Sequence, residues 1–307
     1  MAVTASMVKE LRQRTGSGML DCKKVLTETD GDIEQAIVLL REKGLAKAAK
    51  KASRIAAEGI VMAKATEDGK SAVVVEVNSE TDFVAKNETF RSYVASIADQ
   101  AMTTTATDID AFLAEKYIGD EAQSVQDSLN AQIAVIGEKL SIRRFKKVEA
   151  TNGAVASYIH GGGSIGVLVE AETEVVNDEV LEALRNVAMQ IAALPPVYLS
   201  RADVDPAYIE SETAILKQTA MNENPDKPES IIEKMIIGRL NKQLKEVCLL
   251  NQQYVKDGDL TVEKYIASVG KSVGATITLK SYTRFQTGEG IEKKEENFAE
   301  EVANQLK

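Results

Sequence analysis

The sequence predicts an α+β protein, and three observations carry that prediction. Apolar residues recur at helical spacing over residues 6–44, a pair of strand patterns occurs twice in the same order, and a long helical stretch interrupts the second copy. At 307 residues the chain is long enough for two or three cores.

In chain order, Ser6 is taken as the N-cap of a first helix carrying Met7, Val8 and Leu11, which ends near the permissive Thr15-Gly16-Ser17-Gly18. A second helix is expected from Leu20 to about Thr27. Asp30-Gly31-Asp32 makes a turn and cap, and Ile33, Ile37 and Leu40 place a third helix that Gly44 closes. The Ala- and Lys-rich stretch 45–57 reads as a helical linker. Residues 1–55 are accordingly assigned to an N-terminal domain and linker.

Next come GIVMAKATEDGKSAVVVEV from Gly59 and GAVASYIHGGGSIGVLVEA from Gly153. Each reads as a β-hairpin, turning at Asp68-Gly69 and at Gly161-Gly162-Gly163. A helix follows each, marked by Phe90, Val94, Ile97 and Ala101 and by Val180, Leu184, Val187 and Ile191. A further β-rich run, 141–149 or 275–285, closes each small sheet as a third antiparallel strand. These units give core subdomains at 56–150 and at 151–200 with 258–285. Between the two parts of the second, residues 201–257 read as an antiparallel helical hairpin, and 286–307 as a charged C-terminal helix.

Composition narrows the function. No apolar run reaches the roughly 20 residues of a membrane span, and charges at Lys9, Glu10 and Arg12 break any secretory pattern, so a cytoplasmic protein is expected. Cys22 and Cys248, far apart, form no disulfide framework. A net charge of −10 argues against direct nucleic-acid binding, although residues 1–55 carry +4 against −14 for the rest. One histidine and two distant cysteines cannot build a structural zinc site; the residues leave a carboxylate site for a hard cation open, but no metal or cofactor is expected. HGGGSIG at 160–166 lies between two strand patterns rather than between strand and helix, so it is a turn and not a dinucleotide fingerprint. Gly270-Lys271-Ser272 ends like a phosphate-binding loop, but Tyr265 stands where the first glycine belongs.

One asymmetry between the copies stands out: Asn78-Ser79 are extra in the first, and Phe83 faces Val175 of the second. On the residues alone, Phe83 folds into the local core and Asp82 caps a helix, or the pair forms an exposed contact.

TDFVAKN at 81–87 resembles the signature loop of the elongation factor Ts family. LRQRTGSGMLDCKKVL at 11–26, IGEKLSIRR at 136–144, YIHGGGSIGVLV at 158–169 and the tail GEGIEKKEENFAEEVA resemble further motifs of that family, in its order. The resemblance implies a ubiquitin-associated-like three-helix N-terminal domain, a duplicated core, a helical dimerisation hairpin and a C-terminal helix. It implies guanine-nucleotide exchange on elongation factor Tu, with no catalysis of its own. Thr81, Asp82, Phe83 and Val84 match the loop that enters the GTPase near its magnesium, with Phe83 the wedge. Arg12, Met19, Leu20, Ile136, Gly137 and His160 match other partner contacts, and the hairpin suggests a homodimer. Without the resemblance, two readings compete: an enzyme using His160 on a phosphorylated substrate, and a structural dimer built on the hairpin.

Overall fold

In the computed structural model, which describes residues 3–224 and 227–292, the first three helices are α1 (Ala5–Thr15), α2 (Met19–Glu28) and α3 (Ile33–Lys51). Thr4, not Ser6, caps α1, since its hydroxyl accepts from the Met7 N–H and Ser6 already lies inside the helix. Leu11, Cys22, Val25, Leu26 and Ala36 form the buried centre of this unit. Gly44 does not end α3. It sits in mid-helix facing α7, where a Cβ would meet that of Ala134 in ordinary contact at 3.4 Å, and the good helix formers beyond it carry α3 through most of the expected linker.

The first repeat then runs β1 (Glu58–Ala65), β2 (Ser71–Ser79), α4 (Asp82–Ala85), α5 (Glu88–Thr103), α6 (Ile109–Ala114), β3 (Lys116–Tyr117), β4 (Asp120–Ser124), α7 (Val125–Ile136) and β5 (Ser141–Glu149). The second runs β6 (Gly153–His160), β7 (Ile165–Glu172), α8 (Asp178–Ala193), α9 (Pro206–Glu223), α10 (Glu229–Val247), β8 (Gln253–Tyr254), β9 (Asp257–Thr261), α11 (Val262–Val273) and β10 (Thr278–Gln286). Both three-stranded sheets are antiparallel, ordered β1-β2-β5 and β10-β7-β6, with the hairpin's second strand at the centre.

The duplication is longer than the strand patterns reveal. A two-stranded ribbon and a helix precede the third strand in both copies, capped by Ser124 and Thr261 and ended by left-handed Gly137 and Gly274. A buried glutamine holds each ribbon: the Gln100 amide oxygen accepts from the Ile118 N–H and that of Gln190 from the Val255 N–H, both at 2.8 Å. Even the β-bulge is repeated, leaving Arg143 unpaired in β5 and Lys280 in β10.

The sheets pack face to face through Val61, Ala72, Val74, Val155, Leu168 and Phe285. On its outer face the first buries Val73, Val75 and Val77 with Phe90, Val94 and Ile97 of α5, and the second buries Val167 and Val169 with Leu184, Val187 and Ile191 of α8. The order is helix, sheet, sheet, helix. Both central strands are therefore buried on two faces, which is why their sequences read as nearly unbroken apolar runs.

Helices α9 and α10 pair as the expected antiparallel hairpin, rooted on Val204, Leu244 and Cys248. The expected C-terminal helix is not present at its predicted start: Gln286 ends β10, residues 287–290 form turns, and residues 293–307 of that expectation lie outside the described residues.

Candidate functional site

Strand β2 ends at Ser79 and the chain enters a short connection bounded by two helix caps. The Thr81 hydroxyl accepts from the Val84 N–H to open α4, and the Asn87 side chain accepts from the Phe90 N–H to open α5. Ala85 turns inward and is buried, and Val84 packs against the helix-side core of the first sheet. That orientation puts the other face of the turn in solvent, and Phe83 is 79% exposed. Asp82 is exposed beside it, and Lys86, donating at 2.7 Å, holds its carboxyl below the ordinary carboxylate range.

The turn is anchored at both ends. On the entry side the Glu138 carboxylate accepts from the Glu80 and Thr81 N–H groups at 3.1 and 3.0 Å and from the Thr81 hydroxyl at 2.7 Å. Glu80 returns the contact, accepting from the Lys139 N–H and pairing with Arg54. On the exit side the Arg91 guanidinium donates to the Ala85 carbonyl at 3.3 Å and to the Gly162 carbonyl at 3.2 Å. Through Arg91 the turn is tied to the triple-glycine bend of the second repeat.

The other predicted residues fall into two groups. Ile136, half-buried, and Gly137, exposed at φ 86°, immediately precede Glu138 and so stand at the base of the Phe83 turn. His160 begins the bend that Arg91 holds; its ring is exposed, with Nδ1 3.2 Å from the Tyr158 hydroxyl, and its carbonyl accepts from Gly163 and Ser164. Arg12, Met19 and Leu20 lie apart on α1 and α2, with Leu20 83% and Met19 58% exposed. Among the described residues no hydrogen bond or ion pair joins them to the turn. Their unit is connected to it through α3, whose Lys51 donates to the Gly137 carbonyl at 2.6 Å.

Sequence reasoning missed Glu138, Glu80 and Arg91. Glu138 lies inside the IGEKLSIRR motif, but nothing local marks a carboxylate whose partners are backbone groups 57 and 58 residues away. A cleft of about 720 Å3 exists elsewhere, between α3 and α7, and no residue of the turn lines it. Among the described residues, no three or more His, Cys, Asp or Glu side chains group so as to hold a metal ion, and no helix is long and apolar enough to cross a membrane. An exposed aromatic on a clamped turn presents a rigid apolar contact to solvent.

Residues 80–289 match the family model described as Elongation factor TS. The chain is 56% identical over 305 residues to Elongation factor Ts of Clostridioides difficile strain 630, with 99% of each chain covered. It is 52% identical over 304 residues to the proteins of that name from Clostridium novyi and Clostridium tetani, again with 99% of each covered. The family match begins at Glu80, the first residue of the clamped connection, and runs to the turn after β10. The chain belongs to the elongation factor Ts family.

Proposed function

We propose that this chain is a guanine-nucleotide exchange factor for elongation factor Tu, acting in the cytoplasm during protein biosynthesis and catalysing no covalent step. The observation that carries the reading is Phe83, a large apolar ring held in solvent on a short turn whose two ends are both anchored. Burial of such a ring against a partner is favourable by about 1.5–3 kcal/mol, and the anchors limit the entropy lost on docking.

Docked near the GTPase magnesium, the ring separates elements that hold the cation. A displaced magnesium no longer balances the charge of the β-phosphate, and GDP leaves faster. Val84 holds the inner side of the wedge and Thr81 its start, while Asp82, paired with Lys86, presents a charge at its edge. Ile136, Gly137 and His160 extend the contact surface beside the turn. Arg12, Met19 and Leu20 form a second contact on a ubiquitin-associated-like N-terminal domain, residues 1–55. The factor acts by binding the nucleotide-free GTPase better than the loaded one, so that factor and nucleotide weaken each other's binding equally.

Within this reading, residues 56–150 and 151–200 with 258–285 are the duplicated core subdomains, and 201–257 is the helical module through which two copies pair. The expected result is that catalytic amounts of the chain accelerate release of a fluorescent GDP from elongation factor Tu. An unchanged release rate contradicts the reading.

A further inference from the structure

The internal duplication supplies its own control for deciding what the Glu138 clamp is for. Helices α7 and α11 end alike, on left-handed Gly137 and Gly274, and each leads into the third strand of its sheet. The next residue is Glu138 in the first copy and Ala275 in the second. The corresponding sheet-to-helix connection of the second copy therefore has no carboxylate from this position. There the Thr173 hydroxyl accepts from Val175 and the Thr173 N–H donates to the Asn152 carbonyl, and the connection forms without a clamp. It also carries no exposed aromatic, because Val175 stands where the first copy has Phe83. Building this connection does not require the clamp. The clamp and the exposed ring occur together, in one copy.

The chemistry explains how Glu138 acts at a distance. Its carboxylate takes the Glu80 and Thr81 N–H groups and the Thr81 hydroxyl proton, charge-assisted bonds that fix the backbone just before α4. With that proton committed, a lone pair of the same hydroxyl is left for the Val84 N–H and completes the N-cap. The cap sets the axis of α4, a single turn of four residues, and the axis sets the direction of Phe83.

We propose that Glu138 is a positioning residue for exchange, aiming the Phe83 ring through Thr81 without itself touching the reacting site; this rests on the exchange reading above. Glu80, accepting from Lys139, closes the reciprocal half of the clasp.

The test uses the full chain with Glu138→Gln, Glu138→Ala, Phe83→Ala and the Glu138→Ala/Phe83→Ala double variant. In the free protein, amide hydrogen exchange at Glu80, Thr81 and Val84 should speed up in Glu138→Ala, while amides of β2 and α5 stay protected. With elongation factor Tu and fluorescent GDP, Glu138→Ala should lower the maximal release rate about tenfold, equivalent to ~1.4 kcal/mol, and Glu138→Gln less because it keeps one acceptor. In the Phe83→Ala background the same change should cost less than about twofold, since a residue acting only through the ring has nothing left to aim. Unaltered amide protection in Glu138→Ala, a wild-type release rate, or effects that multiply in the double variant would each overturn the proposal. Failure of the wild-type chain itself to accelerate release is a separate outcome: it removes the exchange role, and with it this assignment, whatever the amide measurement gives.

Discussion

Phe83 is exposed because the residues on either side of it are committed elsewhere: Ala85 and Val84 face the core, Asp82 pairs with Lys86, and Thr81 is occupied by Glu138. The sequence marks this place through the mismatch of Phe83 with Val175, since two copies of one pattern invite comparison residue by residue. It does not show the direction of the ring, because the Glu138 clamp joins residues far apart in the chain. Gly59 and Gly153 show the same limit. Both read as ordinary hairpin starts, yet each lies against the central strand, where a Cβ would stand 2.2 Å from the Val77 carbonyl oxygen and 2.0 Å from that of Ala171. Gly59 has φ 125°, a conformation that side chains strongly disfavour. Gly59→Ala is expected to lower stability by about 2 kcal/mol or more, from backbone strain and the clash together, read as a shifted urea midpoint.

At the scale of elements, long periodic helices and the buried hairpins are legible, and the short ribbons are not. Strands such as Asp120–Ser124 and Asp257–Thr261 are too short and polar for alternation to register, and a glutamine from another helix holds the turn that leads into each. Helices α7 and α11 follow those ribbons directly and are obscured with them, so the sequence repeat reads as hairpin, helix and strand only. Gly44 shows a related limit of local patterns. A glycine in a helical pattern signals an end when only local rules apply, but here it lies inside the contact of α3 with α7, where a small residue fits. The two uses predict different mutants. Gly44→Ala should be tolerated, because its Cβ meets Ala134 at 3.4 Å and helix propensity improves by up to about 1 kcal/mol. Gly44→Leu should push the helices apart and expose the first three helices to limited proteolysis, which mass mapping of the fragments would detect.

The whole molecule is joined at a charged centre between the sheets. Glu76 is fully buried, and its carboxylate accepts from Arg143 at 3.1 Å, Arg144 at 2.6 Å, Asn78 at 3.1 Å and the Gly288 N–H at 2.8 Å. Both arginines reach it because the β5 bulge places Arg143 beside Arg144 instead of on the opposite face. The turn at 287–291 is thereby fastened to β2, while Thr287 bonds the triple-glycine bend through the Gly163 and Ser164 carbonyls. Removing one member of such a buried set strands the others, so Glu76→Ala is expected to cost about 3–5 kcal/mol and to raise amide exchange over residues 286–291. Since β2 runs from Glu76 directly into the Phe83 turn, the join between the sheets also fixes the base from which the ring projects. In the proposed function this ring drives nucleotide release. Its most direct test is the rate of fluorescent GDP release from elongation factor Tu at saturating Phe83→Ala: a rate about tenfold or more below wild type, with the fold intact, is predicted from loss of at least ~1.4 kcal/mol of wedge interaction, and a wild-type rate would contradict it.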